Sequence, residues 1–210
     1  MKHLLVIAFL MVTGLASAQT KYESGMAKGF EQMKAAKTAE EMTATASFFE
    51  RIADAEKDKW LPYYYAAYAN YLTGWMNPNA DKDKVGDKSK DLITKAEILE
   101  KNNADLFVLR QMVAVMQLTV DPMSRFQSYG AQATEAIENA KKADATNPRI
   151  YLMEGRYKMN VPEAYGGGKE IGKALFIKSV ELFKTYKPAT EMHPSWGKDQ
   201  AEQMLEQVSK

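Results

Sequence analysis

The sequence predicts an all-α chain, a solenoid of antiparallel helix pairs, on three observations. Nearly every segment carries apolar residues at helical period, and no run alternates convincingly at period two. Breakers separate these segments: Pro62, Asn77-Pro78-Asn79, Pro122, Asn147-Pro148, Pro188 and Pro194. The segments also recur at a nearly constant spacing, as a stack of like units requires.

The periodicity places helices over residues 21–36, 39–57, 61–76, 80–101, 104–120, 123–144, 149–160, 169–186 and 194–208. Three of them share an apolar register. Leu92, Ile93, Ala96 and Leu99 match Ala136, Ile137, Ala140 and Ala143, and then Phe176, Ile177, Val180 and Phe183. An earlier helix repeats it with Phe48, Phe49, Ile52 and Ala55. Any amphipathic helix has these offsets, so the distance between helix starts carries the argument. Starts at Pro62, Ala104 and Pro148 lie 42 and 44 residues apart. The last helix opens at Pro194 and bears a narrow stripe of Met204, Leu205 and Val208, which suits a terminal cap. Whether residues 21–57 close the stack or dock elsewhere is left open.

The unit beginning "NPRIYLMEGRYKMN" resembles the tetratricopeptide-repeat family. Tyr151 stands at that family's first aromatic and Gly155 at its close-packing glycine. Ala136, Ala140, Ala143 and Pro148 echo its small–large–small–proline pattern, with Ala140 in place of an aromatic. "WLPYYYAAYANYL" is similar to another first helix, with Ala69 at the glycine position, whereas the middle unit has Gln111 there. Units of 42 to 44 residues exceed the usual length of about 34. The resemblance spans roughly residues 40–188. It implies a right-handed solenoid of three to four repeats plus the C-terminal cap, with first helices lining a concave groove. Carried over by the Gly155, Ala69 and middle-unit alignments, that groove takes Arg149, Leu152 and Arg156; Tyr63, Ala66 and Asn70; and Asp105, Val108 and Met112.

Residues 1–18 have the anatomy of a secretory signal peptide. Lys2 and His3 precede an apolar run from Leu4 to Leu15, and Ala16-Ser17-Ala18 supplies an A-x-A cleavage site before Gln19. The expected product is one domain, residues 19–210, in the bacterial periplasm or secreted. Cleavage removes Lys2 and no acid, so 27 basic residues face 27 acidic ones. A neutral chain without a basic block gives no footprint for nucleic acid. The absence of cysteine excludes disulfides and thiolate metal sites. No later segment is apolar enough to span a membrane, since Leu106 to Leu118 is interrupted by Arg110, Gln111 and Gln117.

Motifs for chemistry fall short. "EAYGGGKEIG" offers Gly168-Lys169 as a phosphate loop would, but Glu170 replaces the hydroxyl residue, Glu163 the first glycine, and no strand precedes it. It reads as an enlarged corner whose glycines supply positive φ. "DKDKVGDKSKDL" from Asp81 mimics a calcium loop, yet Val85 and Leu92 stand where oxygen ligands belong, and the segment reads as a solvated loop entering a helix. His193 is the single histidine after the signal, so neither a metal site nor a serine–histidine–acid triad is expected, and no cofactor. Two acids spaced for glycoside cleavage would leave no mark in sequence.

Two functions remain, neither enzymatic. The first is an exported protein- or peptide-binding scaffold using Tyr63, Asn70, Asp105, Arg149, Leu152 and Arg156, with arginine forks holding carboxylates. The second is a small-ligand binder serving a solute transport system. It would use the strip Trp60, Tyr64, Tyr68, Tyr71 and Trp75, which spans an arc of about 80° on one helix. Aromatic stripes at this spacing more often pack in a core. Homo-oligomerisation is left open.

Overall fold

The computed structural model describes residues 21–210, which contain helices and no strand. The signal peptide expected over residues 1–18, with its cleavage point, lies outside the described residues. Helix α1 covers 21–35, and α2 (Ala39–Ala55), α3 (Trp60–Met76), α4 (Lys82–Leu99) and α5 (Ala104–Leu118) follow. One turn, α6 (Pro122–Arg125), runs through a π-helical turn (Phe126–Gly130) into α7 (Ala131–Asp144). Then come α8 (Pro148–Lys158), a 3₁₀ turn (Glu163–Tyr165), α9 (Lys169–Phe183) and α10 (Lys198–Ser209).

Side-chain caps account for most starts. Thr38 and Glu41 form a reciprocal capping box on α2. Asp81, Asn103 and Asn147 each accept the free backbone N–H groups that open α4, α5 and α8. Consecutive helices from α2 onward pack on one another, and α5 also touches both α3 and α8. The helices that open at Trp60, Ala104 and Pro148 therefore form a row of their own. The core runs along it, with Tyr64, Leu106, Leu109, Met116, Ile150 and Leu152 against Phe49, Ile93 and Phe176. Gly155 lets α8 and α9 close up: a Cβ there would meet Phe176 Cε1 at 2.6 Å.

Two expectations are corrected. Pro194 opens no helix. Residues 184–197 form a non-helical strap ending at Gly197 (φ 113°), and α10 starts at Lys198. Tertiary bonds hold it: Tyr65 Oη donates to the Met192 carbonyl (2.9 Å) and Trp196 Nε1 to Tyr64 Oη (2.9 Å). The segment from Asp81 is no loop either. Asp81 is the N-cap, Asp83 lies in the first turn, and Gly86 seats the Gln117 side chain. The glycine corner holds positive φ at Gly166 (74°) and Gly168 (113°).

Candidate ligand cavity

Tyr71 and Trp75 occupy the last turns of α3, and the C-terminal halves of α5 and α8 lie beside them. Between these helices is a cavity of about 1010 Å³, at the upper end of the roughly 300–1,000 Å³ typical of small-molecule sites. Met112, Val115 and Leu118 of α5 and Met153 and Tyr157 of α8 build its apolar wall. Of the remaining lining residues, Pro122, Met123, Pro162 and Tyr165 are exposed and mark the mouth, while Val161 is buried. The Phe126 and Tyr165 rings, both in the lining, approach to 5.6 Å.

The polar part of the lining is Gln111, Thr119, Ser124, Gln127, Arg156 and Asn160, with the phenols of Tyr71, Tyr157 and Tyr165. Arg156 is its charged residue, exposed and without an ion-pair partner among the described residues. Gln111 donates through Nε2 to the Met153 carbonyl (3.4 Å), while its buried Oε1 has no hydrogen-bond partner. Burial raises the phenols of Tyr71 and Tyr157 above their ordinary value, which keeps both neutral in neutral solution. Lys82 Nζ sits 4.3 Å over the Trp75 ring, bracing it. A large, apolar, aromatic- and thioether-rich space with a single cation suits a flat apolar ligand carrying an acid group.

The structure divides the residues expected from sequence. In the aromatic strip, Tyr64, Tyr68 and Tyr71 are buried and stacked in series, and Trp196 of the strap lies against Tyr68 at 5.3 Å. Trp60 packs on Tyr64 and His193. Tyr71 and Trp75 reach the cavity; Trp60, Tyr64 and Tyr68 belong to the core.

The groove set needs correction for a physical reason, burial of its charges. Arg149 has no exposed surface. Its Nε donates to Asp105 Oδ1 (2.8 Å), another nitrogen to Tyr186 Oη (2.6 Å), and its guanidinium lies 4.6 Å over the Tyr186 ring. Burial pulls its pKa down, and the Asp105 carboxylate more than reverses this. Leu152, Ala66 and Val108 are fully buried, and Asn70 donates to the Ala66 carbonyl of its own helix. Tyr63 is half-buried, near Lys95. Of that set only Met112 and Arg156 line the cavity.

Pro122, Met123, Phe126, Tyr157 and Tyr165 were not anticipated. Tyr157 lies on α8, while the others belong to a one-turn helix with a π turn and to the 3₁₀ turn that enters the glycine corner, irregular elements that no helical period specifies. A sulfur-rich, acid-poor run from Met112 to Met123 was the available hint.

No protein-family model matches this chain, and no curated protein matches it. Among solved structures it is similar to the HusA haemophore from Porphyromonas gingivalis. The two are 29% identical over 89% of this chain and 92% of that chain, with a TM-score of 0.81. That neighbour is a binding protein, and no helix among the described residues is long and apolar enough to cross a membrane.

Proposed function

We propose that this chain is an exported haem-binding protein that carries haem in the cavity between α3, α5 and α8. One observation carries the reading: in a fold similar to a haemophore, the wall of a 1010 Å³ cavity is apolar, aromatic and thioether-bearing, with Arg156 as an unpaired cation. Haem is a flat macrocycle with two carboxylates. One face would lie against Tyr71, Met112, Met153 and Tyr157, and Arg156 would hold a carboxylate through charge-assisted hydrogen bonds.

The wall offers iron no imidazole, because the one histidine beyond residue 20, His193, stands by Trp60 on the strap and outside the cavity lining. Recognition then rests on ring faces and carboxylates, so metal-free protoporphyrin competes with haem on nearly equal terms. The helical stack is proposed as a lengthened tetratricopeptide-type repeat, on the row α3, α5, α8 and the close packing at Gly155. A peptide scaffold using Arg149 is not favoured, because that side chain offers no surface.

The test is a competition titration on the mature protein. Replacing Arg156 by Ala should weaken haem binding about 10–100-fold, the effect of losing one charged hydrogen-bonded contact, with thermal stability unchanged. Unchanged affinity in that variant, or failure of metal-free protoporphyrin to compete, would count against this mode of recognition.

A further inference from the structure

Three large apolar side chains that the fold leaves exposed stand around the mouth of this one cavity: Trp75 (45% exposed), Met123 (93%) and Tyr165 (68%). Scattered exposed apolar residues are ordinary, but these three come from separate elements and border the same opening. Met123 is the most conspicuous. It is the exposed methionine among the described residues, and it sits on α6, a single turn whose Pro122, Met123 and Ser124 face water while lining the cavity.

The attachment of α6 is specific. Asp121 caps it by accepting the Ser124 N–H, and the π turn follows it. Arg125 ties it to α4 by two parallel hydrogen bonds to Asp83 (2.5 and 2.8 Å) and also donates to the Gln117 carbonyl (3.0 Å). A π turn inserts a residue into the helical ladder and commonly marks a functional irregularity. In the pose proposed above, the wall formed by α3, α5 and α8 covers one face of the ligand and leaves the other face wet.

We propose that α6 is a lip that covers the outer face of the bound ligand. Met123 is the side chain that contacts that face, and the Arg125–Asp83 pair is the latch that sets how readily the lip lifts. The proposal rests on the haem-binding reading and adds a requirement to it. A ligand must be broad enough to reach Met123, Trp75 and Tyr165 together, which selects a tetrapyrrole-sized macrocycle over a single-ring aromatic acid. Methionine suits the position, because its flexible thioether adapts to a flat surface.

Dilute hydrogen peroxide, with peptide mapping by mass spectrometry, tests the contact. Peroxide transfers one oxygen to the thioether, giving the sulfoxide and water. Metal-free protoporphyrin in the dark serves as the probe, because iron would add its own oxidation chemistry. In the free protein Met123 should oxidise first. Under saturating protoporphyrin its oxidation should slow at least about tenfold, while half-buried Met76 and Met204 keep their rates. Met123→Ala should speed protoporphyrin dissociation about tenfold, as expected for removing one buried apolar side chain, with association unchanged. Asp83→Asn should speed both steps. Saturable protoporphyrin binding with Met123 oxidised at its free rate, and with unchanged dissociation from Met123→Ala, overturns the lip and leaves the cavity reading standing. No protoporphyrin binding removes both.

Discussion

Arg149 illustrates how one side chain can be misplaced by a repeat pattern and then explained by its partners. Its position in the first helix of a unit suggests a groove cation, yet Asp105, 44 residues earlier in the preceding first helix, neutralises it inside the core. Asn147 donates to the same Asp105 oxygen (2.8 Å), so the carboxylate ties the α8 cap and Arg149 to α5. Neither residue's burial can be read from its own neighbourhood, since the strap that covers them begins some 35 residues downstream of Arg149. Removing the carboxylate strands a buried guanidinium, so Asp105→Ala should cost about 3–5 kcal/mol in chemical denaturation. His193, packed on Trp60, makes a milder prediction. Burial lowers its pKa from the ordinary 6.5, outweighing the nearby Asp105 and Glu100 carboxylates. The unfolded chain therefore binds more protons just below pH 6.5, and stability falls as the pH is lowered through that window. His193→Gln should remove this portion of the pH dependence in thermal melts between pH 7 and 5.

Elements with strong periodicity were legible, and those shaped by tertiary bonds were not. The helices over 39–57, 61–76, 104–120 and 149–160 are found within a few residues of expectation, because apolar faces run their length and Thr38, Asn103 and Asn147 cap all of them but α3. Helix α3 presents one continuous aromatic stripe in sequence, but it serves two ends. Tyr64 and Tyr68 are sealed by the strap's Trp196, whereas Tyr71 and Trp75 pass beyond it to the cavity. The strap itself carries a proline that mimics a helix start; hydrogen bonds to Tyr64, Tyr65 and Arg149 hold it extended instead. The glycine corner, read correctly as a turn, also sets Tyr165 at the mouth, which no local signal announces. At the α8–α9 junction, Gly155→Ala should destabilise by about 1–3 kcal/mol, because its Cβ would press on the fully buried Phe176 ring. A co-substitution of Phe176 by Leu that recovers none of the loss would contradict close packing as the cause.

Across the whole molecule, the row of first helices does two jobs along its length. Near the N-terminal ends of α5 and α8 it holds a charged, buried network that fastens the strap. Near the C-terminal ends it parts around the cavity, where Arg156 is the charged residue of the lining among the described residues. A rigid, satisfied end beside an open, apolar end is a sound arrangement for a carrier, which must stay folded whether loaded or empty. The fold class could be inferred from periods and breakers; the cavity arises from where helices stop and loops cross, which no period encodes.

Fluorescence titration of the mature protein with haemin, alongside Trp75→Phe, tests the central claim most directly. The account predicts saturation at one equivalent, with quenching that includes Trp75 and is correspondingly reduced in the variant. Quenching without saturation, or saturable quenching that Trp75→Phe leaves unaltered, would contradict haem carriage in this cavity.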